Sequence, residues 1–330
     1  MGAAIDEKPA LVTGASGFLG WHVAKLLIES GQRVRLLLRP SSEARELDAE
    51  VVRGDLRDSA SLDGAVAGCG TVFHVAADYR LWSPRPQDLY DSNVSGTKNL
   101  MHAAWRAGVE KFVYTSTVGC VGMPEGKLGD EASPISLDDM TGHYKRSKFL
   151  AEQEVLGAAR AGHPVYIVNP TTPVGAHDVK PTPTGKVILD FLKRRMPAYV
   201  DTGLNFARVM DCARGHLLAA SRGRVGERYI LGGENWTLAR LFEKLAGITG
   251  IPAPKVRIPY SVAFAAGAAS TAWAGISGRE PRAPLEGVRM ARRKMWVSSD
   301  KASRELEYKP GPVEESLAQA VEWFRRNGYC

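Results

Sequence analysis

TGASGFLG, residues 13–20, lies between an apolar run from Ala10 to Thr13 and an amphipathic pattern from Phe18 to Glu29. The run is typical of a buried strand, and the pattern is typical of a helix with one apolar face. A glycine-rich turn between them presents backbone amides at the positive end of the helix dipole, where a pyrophosphate binds. The stretch therefore predicts an α/β fold that holds a dinucleotide.

The glycines of this turn each have a predicted role. Gly14 permits the tight turn, Gly17 lets the backbone approach the pyrophosphate, and Gly20 allows close packing of helix on strand. The expected cofactor contacts in this stretch are Gly14, Ser16, Gly17, Phe18, Leu19 and Gly20. A phosphate-loop NTPase is disfavoured, because the Gly-Lys pair at 185–186 is followed by valine and lacks the earlier glycine of that motif.

Strands and helices alternate as far as about residue 175, which predicts a doubly wound parallel sheet. Further strands are expected at Val34 to Leu38, Val51 to Val52, Thr71 to Ala76, Lys111 to Ser116 and Val165 to Val168, and helices at Ser61 to Ala67, Leu89 to Ala107 and His143 to Arg160. We expect a dinucleotide-binding domain over residues 1–175. Residues 176–330, interrupted by prolines, are expected to form a smaller mixed substrate lobe, from which some elements could return to the first domain.

The end of the second strand, Leu38-Arg39-Pro40-Ser41-Ser42, carries no acidic residue. An acid there would hold the ribose 2′-hydroxyl of NAD, whereas an arginine can pair with the 2′-phosphate of NADP. Arg39, helped by Ser41 or Ser42, therefore favours NADP, with NAD as the alternative. Asp55, after the third strand, could accept a hydrogen bond from the adenine amino group.

Tyr144 and Lys148 lie four residues apart in a predicted helix, and so on one face of it. A nearby ammonium favours the phenolate, so we expect Lys148 to lower the tyrosine pKa. Such a tyrosine can exchange a proton with an alcohol or a carbonyl. A hydroxyl from Ser116 or Thr117, at the end of the preceding strand, could bond the same oxygen.

Composition places the chain among ordinary globular proteins. It has 330 residues, 44% of them hydrophobic, and a net charge of +7 from 43 basic and 36 acidic side chains. The positive charge suits an anionic ligand or membrane surface as well as an ordinary basic surface. Four cysteines without a C-x-x-C pair, and histidines without ligand spacing, predict no metal site. The N-terminus lacks the apolar core of a signal peptide, so a cytoplasmic protein is expected.

These motifs together resemble the extended short-chain dehydrogenase/reductase family. Its parts here are residues 13–20, GDLRD at 54–58, HVAA at 74–77, Asn93 with Gly96-Thr97, the Ser116/Thr117 strand end, Tyr144 with Lys148, and VMD at 209–211. The resemblance implies a Rossmann fold, and a catalytic triad of Tyr144, Lys148 and a hydroxyl that aligns best with Thr117, with Ser116 open. It also implies cofactor contacts from Leu56, Val75, Ala76, Ala77, Pro170, Thr171 and Thr172, besides Tyr144 and Lys148.

Two subgroups of the family look most similar, the dihydroflavonol-reductase-like group and the group named hopanoid-associated sugar epimerase. They imply either an oxidoreductase for a ketone or secondary alcohol, or an epimerase or dehydratase that recycles its cofactor on a nucleotide or lipid-linked sugar. A catalytically silent nucleotide sensor is a third alternative, although such relatives typically lose the tyrosine or lysine. The expected partner is a small-molecule substrate and not a nucleic acid. The resemblance also implies a homodimer through Leu89 to Ala107 and His143 to Arg160, with Val94, Leu100, Met101, Phe149 and Leu150 as candidate contacts.

Residues 262–276 are fifteen consecutive uncharged residues. A membrane-spanning helix needs about 20, so an integral span is rejected. One interpretation is a helix buried in the substrate lobe. The other starts from the arginines that follow, since an apolar helix beside a basic cluster can rest on an anionic bilayer. Tyr79, Trp82, Met123, Tyr199 and Arg208 are positional candidates for the substrate pocket.

Overall fold

The structure, a computed structural model, describes residues 7–44 and 46–330. The strands within these residues are β1 (Ala10–Thr13), β2 (Val34–Leu38), β3 (Glu50–Arg53), β4 (Thr71–His74), β5 (Lys111–Thr115), β6 (Val165–Pro170), β7 (Thr172–Val174), β8 (Ala198–Val200), β9 (Gly203–Arg208), β10 (Arg228–Leu231), β11 (Glu234–Thr237) and β12 (Val256–Ile258). The α-helices are α1 (Phe18–Glu29), α2 (Asp63–Val66), α3 (Gln87–Tyr90), α4 (Gly96–Arg106), α5 (Gly142–Arg160), α6 (Pro183–Leu192), α7 (Val209–Arg222), α8 (Leu238–Thr249), α9 (Tyr260–Ser277), α10 (Leu285–Met290), α11 (Asp300–Leu306) and α12 (Val313–Arg326).

Seven strands form one parallel sheet in the order β3-β2-β1-β4-β5-β6-β10. The predicted doubly wound parallel sheet is thus confirmed. The chain runs outward from β1 to β3, and then crosses to β4 on the other side of β1. This reversal leaves a crevice at the carboxyl ends of β1 and β4, the place where such sheets bind ligands.

Helices cover both faces of this sheet, since parallel strands must be buried on both sides. One face packs against α1, α7 and α11, and the other against α2, α4 and α5. β10 and α7 lie beyond residue 175 in the chain, yet β10 forms the edge of the sheet beside β6 and α7 packs against α1. A separate core joins α6, α8 and α12 to β9 and β11, and it includes Phe191, Phe206, Phe242, Leu317 and Phe324.

The stretch predicted as one helix from Leu89 to Ala107 is interrupted. α3 and α4 are separated by a π-helical turn at Asp91–Ser95. Asn93 in this turn accepts from the Asp78 amide at 2.8 Å and donates to the Asp78 carbonyl and to Ser147 Oγ, both at 2.9 Å. The wider turn thus aims one buried amide at α5 and at the loop after β4, and π-turns are frequent near functional sites.

The uncharged segment forms the helix α9, but the interpretation that it is buried in the lobe is wrong. Only Ala263, Gly267 and Ala274 of its 18 residues are buried. Trp273 and Ile276 are 67% and 81% exposed. The buried stripe is narrow because a single short helix, α10, covers it, with Val288 packed against Gly267.

Candidate active site

The turn at residues 14–17 lies against the carboxyl ends of β1 and β4. Gly14 has a φ of +77°, and a Cβ there would lie 2.7 Å from the Ala76 amide nitrogen. A Cβ on Gly20 would lie 2.2 Å from the Gly14 carbonyl oxygen. Gly17 caps α1 without a side-chain hydrogen bond, so no side chain of the cap competes for the first amides of the helix. This cradle fits a dinucleotide pyrophosphate.

A buried hydrogen-bonded chain fixes the strand ends beside the turn. His74 bonds the Thr13 hydroxyl through Nδ1 and the Thr97 hydroxyl through Nε2, both at 2.9 Å. The Ala76 amide donates to Thr13 Oγ1 at 3.1 Å. Burial lowers the pKa of His74 to about 3, so the ring is neutral. The chain holds Val75, Ala76 and Ala77 beside Gly14, where the sequence predicts cofactor contacts.

Positive charge gathers at the ends of β2 and β3. Arg39 is exposed, and Arg53 donates to the Arg39 carbonyl at 3.1 Å and to the Ser42 carbonyl at 2.5 Å. Arg57 binds the Asp55 carboxylate through two nitrogens at 2.9 and 2.6 Å, which lowers the pKa of Asp55. Sequence reasoning missed Arg53, because its proximity to Arg39 arises only from the pairing of β2 with β3.

The remaining predicted cofactor contacts lie at the same edge of the sheet. Leu56 follows β3, and its carbonyl accepts from Asn99 Nδ2 at 2.9 Å. Pro170 ends β6, and the next amide, of Thr171, donates to the Leu231 carbonyl at 3.2 Å. Thr172 then begins β7. Phe18 and Leu19 are the first two residues of α1. The Phe18 side chain is buried and the Leu19 side chain is partly buried, so the backbone of these residues, rather than their side chains, borders the turn.

Thr117 is the hydroxyl that the structure brings to Tyr144. It follows β5, accepts from the Gly119 amide at 3.1 Å, and lies near enough to the Tyr144 phenol to lower its pKa. Because its oxygen already accepts from Gly119, its own proton is available to Tyr144. Ser116 is buried and neighbours the Cys120 thiol instead.

Lys148 bonds residues of β5. Its Nζ donates to the Tyr114 hydroxyl at 2.8 Å and to the Thr115 carbonyl at 2.7 Å. Burial raises the pKa of Tyr144 to about 12, although the Thr117 hydroxyl opposes this. Desolvation thus dominates the pKa of Tyr144, and the expected effect of the Lys148 ammonium on it stays a prediction. Burial also lowers the pKa of Lys148 to about 8.

A buried ionic network lies one helical turn beyond Lys148. The Glu152 carboxylate is fully buried, pairs with Arg228 Nη1 at 3.2 Å and accepts from Asn169 Nδ2 at 2.9 Å. The same Asn169 nitrogen donates to the Thr117 carbonyl at 3.0 Å. Glu152 thus supports Thr117 through Asn169. Sequence reasoning missed these partners, although the four-residue step from Lys148 to Glu152 was a usable signal.

Glu286 is a second residue that sequence reasoning missed. Its carboxyl group packs on Gly142 at the start of α5, so closely that any side chain at 142 would collide with it. Burial raises the pKa of Glu286 to about 7, although the nearby His143 and Tyr144 amides oppose this. The charge of Glu286 in turn raises the pKa of the Tyr144 phenol. No local pattern links residues 142 and 286, because only the docking of α10 brings them together.

Two clefts border the start of α5, which carries Tyr144. The larger, of about 520 Å³, is walled mainly by apolar and basic side chains, namely Val121, Met123, Pro124, Ile135, Met140, Lys145, Tyr260, Phe264, Arg289, Met290, Arg292, Arg293 and Met295, together with Asp139. The smaller, of about 320 Å³, includes Trp82, Arg289 and Glu286. Met123 and Trp82 therefore line clefts, whereas Tyr199 packs on Phe242 and Arg208 pairs with Glu315.

Comparison with known proteins gives the family. Residues 10–232 match the profile of the NAD dependent epimerase/dehydratase family. The putative dihydroflavonol 4-reductase of Synechocystis sp. is 44% identical over 326 residues, 96% of this chain and 95% of that protein. The sterol demethylase protein B of Methylococcus capsulatus is 34% identical over 325 residues, 96% of this chain and 98% of that protein.

A solved structure agrees with these relatives. The nucleoside-diphosphate-sugar epimerase of Pseudomonas aeruginosa superposes with a TM-score of 0.82 at 28% identity, over 98% of this chain and 99% of that one. The proteins that resemble this chain thus include one named as a reductase and one named as an epimerase. This chain belongs to the NAD dependent epimerase/dehydratase family and is an NAD(P)-dependent oxidoreductase or epimerase of the extended short-chain dehydrogenase/reductase type.

Proposed function

We propose that this chain is an NADPH-dependent reductase of a ketone carried on an apolar skeleton. The observation that carries the proposal is the convergence of the Thr117 hydroxyl, the Tyr144 phenol and the buried Lys148 at the crevice of the sheet. When bound, the nicotinamide would supply the hydride, while the turn at residues 14–17 would hold the pyrophosphate of the cofactor.

Tyr144 donates the phenolic proton to the carbonyl oxygen as the carbonyl carbon is reduced. Its pKa of about 12 keeps the phenol protonated at neutral pH, as an acid requires. Thr117 donates a hydrogen bond to the phenolate that forms. Lys148 supplies the positive charge that stabilises this phenolate, which a buried site strengthens relative to water.

The preference for NADP rests on the cations at the ends of β2 and β3. Arg39 and Arg53 lie where the ribose 2′-position is expected, and Ser41 and Ser42 follow Arg39. No acid stands at the end of β2 to accept from a 2′-hydroxyl. NADPH suits net reduction, which is also what the name of the dihydroflavonol 4-reductase relative describes.

The alternative is an epimerase or dehydratase that recycles its cofactor, as the family description and the sugar-nucleotide epimerase structure suggest. The wall of the larger cleft favours the reductase, because methionines, Val121 and Phe264 suit an apolar substrate better than a sugar. The hopanoid resemblance and the sterol-named relative agree with such a substrate.

Stoichiometric NADPH oxidation over a panel of apolar ketones and nucleotide sugars tests the proposal. We expect one NADPH consumed for each ketone reduced, and loss of this turnover in Thr117→Ala with retention in the matched control Ser116→Ala. Sugar isomerisation without net NADPH consumption would replace the reductase with the epimerase.

We also propose a homodimer through α4 and α5. Leu100 and Met101 are buried against the sheet, so the contact would use Val94, Phe149 and Leu150, which are partly exposed. Lys98 and Glu154 already pair between these helices at 3.3 Å, which aligns their outer faces. Light scattering at micromolar concentration checks the mass, and a monomer would exclude this assembly.

A further inference from the structure

The outer surface of α9 is a continuous apolar stripe. Val262, Ala266, Ala269, Trp273 and Ile276 follow one another at helical spacing and are all exposed. At about 100° per residue they lie within one narrow arc, centred about 120° around the helix from the buried Ala263, Gly267 and Ala274. A large apolar surface that the protein leaves uncovered marks an interaction site.

Cations border this stripe. Arg279 and Arg282 follow α9, and Arg289, Arg292, Arg293 and Lys294 lie on and after α10; all six are exposed. None of the six forms an ion pair with any other part of the chain that the structure describes. Glu280 pairs with Lys186. Asp139 accepts from Ser136 and Glu286 packs on Gly142, and the charges of Arg293 and Arg289 act on these two carboxyl groups from beyond ion-pair distance.

We propose that the face formed by α9 and the six cations docks flat on an anionic membrane surface, with Trp273 and Ile276 inserted at the level of the headgroups. An uncharged helix buries its apolar face in the interface, and each nearby cation adds attraction to anionic lipid. Tryptophan suits this depth because its ring is apolar and its N–H is polar. Within residues 7–44 and 46–330, no helix is long and apolar enough to cross a bilayer.

A second copy of the chain is the other occupant to consider, and the charges disfavour it. A two-fold contact through α9 would bring the same surface of both copies together. The six cations of each copy, none of them in an ion pair with the described residues, would then meet their counterparts across the contact. An anionic lipid surface, in contrast, can accept the apolar stripe among its acyl chains and attract the six cations with its phosphates.

The docking face adjoins the larger cleft, which suggests a function for docking. Tyr260 and Phe264 of α9, together with Arg289, Arg292 and Arg293, also form the wall of the larger cleft beside Tyr144. A docked protein therefore opens this cleft next to the lipid phase, where an apolar substrate is dissolved. This consequence rests on the proposed function, whereas docking itself does not.

Sedimentation with vesicles tests docking directly. The full chain is mixed at low salt with vesicles of phosphatidylcholine alone, or of phosphatidylcholine with phosphatidylglycerol. We expect sedimentation with the anionic vesicles only, and release at high salt, where surface charges are screened. The double variant Trp273→Ser/Ile276→Ser should bind at least about tenfold more weakly, because buried apolar area is lost. Val225→Ser, at another exposed apolar residue, is the matched control and should bind like the wild type.

The charge is tested separately with Arg279→Gln/Arg282→Gln, which avoids the cleft wall. Two lost cations near an anionic surface should weaken binding by roughly tenfold or more. Arg325→Gln/Arg326→Gln on α12 is the matched control and should have no effect. Circular dichroism verifies that each variant is folded.

Three results would overturn the proposal. The first is an absence of binding to anionic vesicles. The second is a loss of vesicle binding in the control variants that equals the loss in the test variants. The third is a dimer in solution that becomes monomeric in Trp273→Ser/Ile276→Ser, while the wild type does not bind vesicles. The last would assign the stripe to a second copy. Because the assay needs no substrate, its failure is distinct from failure of the NADPH-oxidation test.

Discussion

α5 and α9 are long helices, of 19 and 18 residues, that depart from the usual distribution of side chains in opposite ways. α5 buries two charged side chains, Lys148 and Glu152, against the sheet. α9 carries no charge and exposes Trp273 and Ile276. Buried charge and exposed apolar surface are each costly unless something compensates for them.

The compensation differs between the two helices. On α5 it is internal, because Tyr114, Asn169 and Arg228 satisfy the buried groups. α9 packs mainly on α10 and leaves Trp273 and Ile276 exposed, so the compensation for these two side chains would come from outside the protein. The comparison indicates that α5 serves the chemistry of the site and that α9 serves contact with a partner.

Removal of the Glu152 carboxylate should have the largest effect on the α5 side of this comparison. Glu152→Ala leaves Arg228 without its buried partner, so we expect the free energy of unfolding to fall by about 3–5 kcal/mol. Chemical denaturation measures it. Glu152→Gln keeps an acceptor for Asn169 and should lose less; equal losses would mean that packing, not charge, holds this position.

Tyr144→Phe should lower kcat by at least about 10²-fold, the lower range for a general acid, while the fold stays intact. The phenyl ring keeps the packing and removes only the proton donor. Steady-state kinetics with the identified substrate measures this, and thermal denaturation serves as the control for folding. Turnover near that of the wild type would remove Tyr144 from the mechanism.

Two exposed arginines extend the comparison to surface charge. Arg39→Ala should weaken NADP binding by about 1.5–3 kcal/mol, since a hydrogen bond to a charged phosphate is lost, and should leave NAD binding unchanged. Arg279→Ala, beside α9, should change neither affinity. Calorimetry with both cofactors measures this, and equal losses for NADP and NAD would contradict the assignment of Arg39.

The buried ammonium of α5 also predicts a pH dependence. The pKa of Lys148 is lowered to about 8, so the cation is lost as the pH rises through this value. Because the proposed role requires the charged form, kcat should fall by about tenfold per pH unit above 8. The free energy of unfolding changes in the opposite direction and rises with pH over this range. Below pH 8 the folded state bears the cost of a buried charge, and this cost diminishes between pH 8 and the unfolded pKa of about 10.4.

The smallest effect is expected on α9. Ile276→Ala should change the free energy of unfolding by no more than about 0.5 kcal/mol, because the side chain is exposed and packs on little. Chemical denaturation measures this, with Leu317→Ala as the contrasting variant. The Leu317 side chain of α12 is buried in the core shared with α6 and α8, so its truncation should lower the free energy of unfolding by about 2–5 kcal/mol. A large loss at Ile276 would mean that α9 is packed against protein in solution.

Local patterns were sufficient for much of the fold. β1, α1 and β2 have the predicted bounds, because each is set by neighbouring apolar residues and ended by a glycine or a loop. The π-turn at Asp91–Ser95 was missed, since its cause is the reach of Asn93 to Asp78 and Ser147. The division into two lobes and the roles of the site residues remain predictions.

The site was predictable only in part, for a related reason. The spacing of Tyr144 and Lys148 is visible in the sequence, but the direction of the ammonium depends on Tyr114, a partner from another element. Arg53 and Glu286 reach the site only through strand pairing and helix docking. The exposure of α9 was open as well, because composition shows that a helix is apolar and does not show what covers it.

The late position of β10 in the chain bears on how the protein is made. β6 pairs on one side with β5, but its other neighbour is Arg228–Leu231, which follows only after β7, β8, β9 and α7. During synthesis the nascent chain therefore carries an open strand edge at Val165–Pro170 while those elements emerge. Such an edge can pair with other chains. Newly made copies should depend most on chaperones in this interval, and translational pauses before residue 228 should lower the yield of folded protein.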